Sequence, residues 1–101
     1  WRWRTTRKNL DGMEHASEVT IVNKYGLHAR PAAEFVKLAN RFASEVFIRK
    51  DDVEVSGKSI MGVMMLAAEC GSTVHIRAAG DDAAGAVDAL VQLVRNRFGE
   101  E

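Results

Sequence analysis

The sequence has few of the residues that cross-link or interrupt a small fold, with one cysteine and one proline among 101 residues. A single cysteine, Cys70, cannot form an internal disulfide, which excludes a disulfide-stabilised secreted domain and suits a reducing cytosol. No apolar run approaches the roughly 18 residues of a membrane span, and the basic N-terminus lacks the apolar stretch of a signal peptide. These absences predict a cytoplasmic protein with no membrane insertion.

Charge of one predominant sign is also lacking, because the formal net charge is zero. The chain therefore has no overall field that would attract nucleic acid. Its three histidines, His15, His28 and His75, are too widely separated to indicate a metal site, and we expect no metal. Hydrophobic residues make up 47% and charged residues 28% of the chain, which is typical of one globular domain.

The first residues show neither a helical nor a strand period. They predict a flexible basic N-terminal extension over residues 1–17, followed by a folded domain over residues 18–101. Within residues 1–12 the net charge is +3, from one acidic residue, Asp11, and four basic ones, Arg2, Arg4, Arg7 and Lys8. Alternating Trp and Arg could contact a membrane surface or nucleic acid. We favour an upstream extension, with Met13 as the natural start.

Hydrophobic periodicity beyond the extension predicts the element order β-α-β-β-α-β-α. Strands are predicted over residues 18–23, 45–50, 53–55 and 72–78. Helices are predicted over residues 29–42, from Ser59 to just before Gly71, and after a cap at Asp81 or Asp82. The first and last helices each carry an apolar stripe, formed by Ala32, Phe35, Val36, Ala39 and Phe42, and by Ala83, Val87, Leu90, Val94 and Phe98. Strands with one apolar face, covered by such helices, indicate an open-faced α+β sandwich.

The string GLHARP, residues 26–31, lies where a loop becomes the first helix. Unpaired backbone N–H groups and the helix dipole make such a start an anion site, and proline is well tolerated there. His28 at the cap position is a poor capping residue, but its neutral imidazole could attack phosphorus. The N–H groups of Ala29 and Arg30 and the Arg30 guanidinium would then hold the phosphate. On spacing alone, His28 could equally end a loop beside a solvated arginine.

Two stretches, NKYGLHARPAAEFV and GKSIMGVMMLAAECG, closely resemble the two motifs of HPr, the histidine phosphocarrier of the bacterial phosphoenolpyruvate-dependent sugar phosphotransferase system. The resemblance covers residues 18–98 and implies a four-stranded antiparallel sheet with three helices on one face. It implies that His28 accepts a phosphoryl group on Nδ1 from phosphorylated enzyme I and passes it to an enzyme IIA, assisted by Arg30. Such a carrier needs no cofactor, leaves catalysis to its partners, and is expected to be a monomer.

The second motif adds a regulatory hypothesis to a structural one. Ser59 is a good helix N-cap, and the resemblance implies that an HPr kinase/phosphorylase phosphorylates it, with a catabolite-control regulator as a further partner. The helix after Ser59 is apolar nearly all round. We assign Val63 and Leu66 to the core, where Ile60 or Met65 could join them. We expect Ile60, Met61 and Met64 to dock partners, because flexible methionines suit adaptable surfaces. The alternative is that this small domain buries them all.

Two other functions are compatible with parts of the sequence. A nitrogen-type phosphocarrier would use the same histidine chemistry for signalling rather than for sugar uptake. A nucleic-acid-binding α+β module would need aromatic residues on the exposed sheet face, where the pattern offers only Phe47. His75 is predicted to lie on the outward face of its strand, and Cys70 is predicted to be a small buried residue.

Overall fold

The computed structural model describes residues 13–100, which form a four-stranded antiparallel sheet with three helices on one face. The strands are β1 (Glu14–Thr20), β2 (Glu45–Lys50), β3 (Val53–Ser56) and β4 (Thr73–Ala79). The helices are α1 (Ala29–Ala39), α2 (Ile60–Met65) and α3 (Ala83–Arg95), followed by a 3-10 turn (Arg97–Gly99). The predicted element order and the α+β class are confirmed. Most of the predicted N-terminal extension, residues 1–12, lies outside the described residues.

Strand β1 begins four residues earlier than the sequence predicts and ends three residues earlier. Residues 14–17, which the sequence predicts as part of the extension, pair with β4, with Glu14 opposite Ala79 and His15 opposite Ala78. Exposed side chains at the start of this edge strand give no apolar alternation, so periodicity misses it. Backbone pairing with β4 defines the strand instead, and the folded domain therefore includes residues 14–17.

The sheet order is β1-β4-β2-β3, with each neighbouring pair antiparallel. One face packs against the helices, and the central strands supply most of its buried side chains: Val46, Ile48, Val74, Ile76 and Ala78. Cys70, in contrast to its prediction, is exposed in the turn before β4. No helix within residues 13–100 is long and apolar enough to cross a membrane.

All three helices are shorter at their C-terminal ends than their apolar patterns suggest. Phe42 and Phe98 pack against or within the core, as predicted, but lie beyond the ends of α1 and α3. Helix α2 ends at Met65, and the following residues turn with Ala67 at a φ of 50°. Gly71, at a φ of 96°, therefore lies in the turn into β4 and does not end the helix. Periodicity indicates which side chains are buried but not where the backbone leaves the helix.

Asp82 occupies the N-cap position of α3, but its side chain does not cap the helix. Its carboxylate accepts hydrogen bonds from the N–H groups of Ala43 and Ser44, both at 2.9 Å, and from the Ser44 hydroxyl. The hydroxyl contributes most to lowering the pKa of Asp82, and the backbone donors add to it. Asp82 thus fastens the turn between α1 and β2 to the start of α3.

The open face of the sheet is covered by charges that pair with one another. Arg77, on the central strand β4, donates to Glu14 at 2.9 Å and to Glu54 at 3.0 Å, and its guanidinium lies 4.2 Å from the centroid of the Phe47 ring. The hydrogen bond to Glu54 contributes most to raising the pKa of Arg77. On the same face, His75 Nε2 lies 3.4 Å from Glu18.

The chain reverses direction after α3 through consecutive left-handed residues. Arg97 and Phe98 have φ values of 58° and 57°, and Gly99 follows at 79°. For a residue with a Cβ this conformation costs roughly 1–3 kcal/mol and persists only when surrounding contacts hold it. The Phe98 side chain is buried in the core, which anchors the reversal and directs Glu100 towards the loop before α1.

Candidate functional site

The loop that presents His28 is anchored by the residues immediately before it. The side chain of Leu27 is buried, and its N–H donates to the carbonyl of Ala68 at 2.9 Å. Gly26, at a φ of 68°, lies so close to the turn after α2 that a Cβ there would approach Glu69 Cα to 2.8 Å. Only glycine fits this position, because both the dihedral and the close approach exclude a side chain. The loop therefore holds His28 at a fixed place beside that turn.

His28 occupies the N-cap position of α1 but does not cap the helix. Its backbone is extended, with φ −81° and ψ −172°, and its side chain makes no capping hydrogen bond. The first helical hydrogen bond runs from Ala32 N to His28 O at 2.9 Å, so the N–H groups of Ala29 and Arg30 have no intrahelical partner. Pro31 has no N–H, and the first turn contains no acidic residue. The helix start therefore offers two free donors and the positive end of its dipole.

The two ring nitrogens of His28 have different surroundings. Nε2 lies 3.3 Å from Glu100 Oε2, while within residues 13–100 no group hydrogen-bonds Nδ1. Tyr25 lies edge-on to the imidazole, with ring centroids 6.1 Å apart at 82°. The side chain of His28 is 41% exposed, so the free Nδ1 belongs to a ring that solvent and a partner protein can reach.

A cavity of about 390 Å³ opens beside the imidazole, lined by Lys24, Tyr25, His28, Arg30, Gly99 and Glu100. Arg30 makes no ion pair within residues 13–100, so its guanidinium is available to an incoming anion. The cavity thus brings together a nucleophilic nitrogen, two side-chain cations and the start of α1. A larger cavity of about 490 Å³ lies on the helical side and has no histidine in its lining, which is formed by Glu34, Lys37, Leu38, Arg41 and Leu93.

The residues predicted for the second motif lie near the turn that supports His28. Ser59 caps α2, with its hydroxyl accepting the Gly62 N–H at 3.0 Å. Val63 and Leu66 are buried as predicted, and the predicted docking residues Ile60, Met61 and Met64 are all exposed. Met65 is exposed as well, at 73%. Helix α2 thus presents an apolar surface, which we call the α2 face, formed by Ile60, Met61, Met64 and Met65.

Several residues of the site escaped the sequence prediction. Lys24 and Tyr25 lie within the first of the two quoted motifs, but nothing in the sequence marks them as cavity walls. Asn23 is buried, and Glu100 reaches His28 from 72 residues further along the chain. Only the fold could reveal that contact, since no local pattern joins the two segments. Among residues 13–100, no three metal-binding side chains cluster together.

Comparison with known proteins identifies the family. Residues 16–96 match the family model described as the PTS HPr component phosphorylation site. The phosphocarrier protein HPr of Pseudomonas putida is 54% identical over 86 residues, covering 84% of this chain and 96% of that protein. The crystal structure of HPr-C-His from Thermoanaerobacter tengcongensis has a TM-score of 0.83 at 47% identity, covering 86% of this chain and 98% of the other.

A second crystal structure from the same organism is described as an HPr dimer. It has a TM-score of 0.69 at 49% identity and covers 83% of this chain and 99% of the other. These matches span both motifs and the strands and helices that carry them. The chain therefore belongs to the HPr family of phosphotransferase-system phosphocarrier proteins.

Proposed function

We propose that this chain carries a phosphoryl group on Nδ1 of His28, receiving it from phosphorylated enzyme I and passing it to an enzyme IIA. The observation that carries the proposal is the start of α1, where a half-exposed imidazole with a free Nδ1 adjoins two unpartnered backbone N–H groups. A helix start that is left uncapped beside a nucleophile is arranged for an anion. Because the chain belongs to the HPr family, we identify that anion as a phosphoryl group.

Transfer to His28 requires only that one bond to phosphorus forms as another breaks. The Nδ1 lone pair attacks phosphorus, and the electron pair of the breaking bond leaves with the donor. The N–H groups of Ala29 and Arg30 and the Arg30 guanidinium then hold the phosphoryl oxygens. At an exposed helix start the dipole contributes about 0.3–1 kcal/mol. A contribution of that size steadies the phosphate without trapping it, which suits onward transfer.

We assign the docking of both partners to the α2 face. Ile60, Met61, Met64 and Met65 are each at least 41% exposed, which is unusual for a group of large apolar side chains. The turn after α2 is hydrogen-bonded to the His28 loop through Leu27 and Ala68. A partner that covers the α2 face would therefore extend to the imidazole. The chain acts as a carrier in the cytoplasm, as a monomer, and its partners catalyse each transfer.

Ser59 is a proposed regulatory phosphorylation site for an HPr kinase/phosphorylase, with a catabolite-control regulator as a reader of the modified form. Its side chain is half-buried at the edge of the α2 face, next to Ile60. A phosphate would add a charge of about −1.5 to −2 beside this apolar surface. The added charge would oppose docking of a partner with an acidic or apolar surface, without any change of fold.

The open face of the sheet does not favour nucleic-acid binding. Phe47 is covered by the guanidinium of Arg77, which is itself paired with Glu14 and Glu54. No free aromatic platform remains on this face of the described residues for a base to stack on. A nitrogen-type carrier would share the His28 chemistry, and no observation favours it.

The experiment is intact-mass measurement after incubation with phosphoenolpyruvate and enzyme I, at neutral to alkaline pH. We expect the protein to gain one phosphate that is labile to acid, and His28→Ala to gain none. His75→Ala is the matched control, because His75 is also partly exposed and also lies beside a glutamate, at 3.4 Å. The control should gain one phosphate like the unmodified chain. Phosphate on His28→Ala, or its absence from the unmodified chain with a verified active enzyme I, would contradict the proposal.

A further inference from the structure

The carboxylate of Glu100 bridges a buried amide and the imidazole of His28. Asn23 is 2% exposed, and its Nδ2 donates to Gly26 O at 2.8 Å and to Glu100 Oε1 at 3.1 Å. The other carboxylate oxygen, Oε2, lies 3.3 Å from His28 Nε2. One oxygen is thus held by a fixed donor in the protein interior, and the second is presented to one particular nitrogen of the ring.

The backbone before Glu100 is strained in a way that produces this contact. Arg97 and Phe98 carry side chains in the left-handed region, and the buried Phe98 ring anchors the turn. The Glu100 N–H closes the turn by donating to Arg97 O at 2.8 Å. Strain of this kind survives where surrounding contacts fix it, and it concentrates at functional sites. The strained turn thus places the carboxylate of Glu100 beside the imidazole.

We propose that Glu100 is a positioning residue for His28, holding the ring proton on Nε2 so that the lone pair is on Nδ1. This inference rests on the proposed function. Asn23 orients the carboxylate, so the three side chains form a chain of contacts from the interior to the nucleophile. A carboxylate that accepts the N–H of one ring nitrogen fixes the tautomer and the orientation of an imidazole.

The same carboxylate acts during transfer. When the Nδ1 lone pair forms the bond to phosphorus, the bond between phosphorus and the donor atom breaks, and its electrons leave with the donor. The proton remains on Nε2 throughout, so the ring acquires positive charge as the new bond forms. Glu100 faces that charge from the Nε2 side, while Arg30 and Lys24 line the cavity and offset its repulsion of the phosphoryl oxygens.

Two substitutions separate the hydrogen bond from the charge. Glu100→Gln keeps an acceptor of the same shape but removes the charge, and Glu100→Ala removes both. Glu45→Gln is the control, because it deletes an exposed carboxylate on β2 that makes no ion pair with His28 or with any other side chain of residues 13–100. Each full-length variant is labelled with ¹⁵N at histidine, and the nitrogen shifts of neutral His28 report which ring nitrogen carries the proton. Turnover by enzyme I is then measured against carrier concentration.

The unmodified chain should show His28 predominantly protonated on Nε2, and Glu100→Ala should shift towards a mixture of tautomers. We expect roughly threefold to tenfold lower kcat for Glu100→Ala with KM unchanged, as for loss of one partly exposed charge-assisted hydrogen bond. Glu100→Gln should retain most of the tautomer preference but lose part of kcat. Glu45→Gln should match the unmodified chain in both measurements.

An unchanged tautomer and an unchanged kcat in Glu100→Ala would overturn the inference. A change confined to KM would also overturn it, because Glu100 would then act in docking. Neither result would touch the proposed function, which fails only if His28→Ala still takes up phosphate or the unmodified chain does not. The role of Glu100 and the carrier function of His28 can therefore be contradicted independently of each other.

Discussion

Helices α1 and α2 begin in opposite ways, although each starts with one polar side chain at the N-cap. At α2 the Ser59 hydroxyl accepts the N–H of Gly62, the third residue of the helix, at 3.0 Å. At α1 the third residue is Pro31, which has no N–H to give, and the His28 side chain points to Glu100 instead. The first start is satisfied within the chain, whereas the second keeps the donors of Ala29 and Arg30 free.

Under the proposed function, the start of α1 keeps its donors open for a phosphoryl group, whereas the start of α2 uses its donor to hold the helix. Capping stabilises a helix by about 1 kcal/mol, so an uncapped start in a small domain calls for a function that uses the open donors. Ser59 thus stabilises its helix by capping it, whereas His28 leaves the first N–H groups of its helix open to an anion. Substitutions at the N-cap positions can convert one kind of helix start into the other, or remove the hydrogen bond that satisfies it.

The largest effect is expected from giving α1 a cap. In His28→Asn the amide oxygen can accept the Arg30 N–H, so we expect phosphoryl uptake to vanish while the free energy of unfolding rises by about 0.5 kcal/mol. The gain is small because Pro31 removes the donor that capping side chains commonly use. Intact mass measures the first quantity, and urea unfolding measures the second.

A clear loss of stability in His28→Asn would contradict the difference between the capped start of α2 and the uncapped start of α1. It would show that the histidine side chain already stabilises the start of its helix. His28→Ala serves as the control that lacks both the nucleophile and the acceptor. It should be less stable than His28→Asn and equally unable to take up phosphate.

The start of α3 is a third case, in which the carboxylate serves another segment. The Ser44 hydroxyl and two backbone donors hold the pKa of Asp82 below its usual range, so ionised Asp82 stabilises the fold above its unfolded pKa of about 4. That stabilisation is lost as the pH falls through the lower folded value. We expect Asp82→Asn to be less stable at pH 7 and to lose less further stability on acidification.

Urea midpoints at pH 7 and pH 3 measure this difference. Asp81→Asn is the matched control, because Asp81 is the exposed neighbour and takes no part in the turn between α1 and β2. If Asp82→Asn and the unmodified chain lose the same stability between the two pH values, the carboxylate does not hold Ala43 and Ser44 as described.

The sequence predicts the local parts of this arrangement well. His28, Arg30 and Pro31 are adjacent in the chain, so a helix start with an anion site can be inferred from their order alone. The same holds for the buried sides of α1 and α3, which follow from the spacing of apolar residues. Structural features that depend only on residues close together in the chain can therefore be predicted from the sequence.

The parts that escaped prediction depend on distant contacts or on rare backbone conformations. Glu100 meets His28 because Arg97 and Phe98 adopt left-handed conformations that favour glycine, and nothing local announces them. Helix α2 stops early with Ala67 in the same region, where a glycine would have marked the end. The start of β1 is set by pairing with β4, which exposed polar side chains do not record.

The smallest effect is expected at the start of α2, where the Ser59 side chain caps the helix. Ser59→Ala removes the acceptor for the Gly62 N–H, and we expect a loss of about 1 kcal/mol, or roughly 4–8 °C in Tm for a domain of this size. Ser59→Thr keeps a hydroxyl and should restore most of that loss. Ser17→Ala, which removes only a long exposed contact of 3.4 Å on β1, should leave Tm nearly unchanged.

The same Ser59→Ala variant completes the comparison with α1. Because the Ser59 hydroxyl bonds to its own helix and not to His28, we expect the variant still to take up one phosphate at completion. A loss of that phosphate with the fold intact would mean that the two helix starts are coupled. The geometry of Ser59 and His28 thus predicts two separate effects. Ser59→Ala loses stability but still takes up phosphate, whereas His28→Asn takes up no phosphate but keeps its stability.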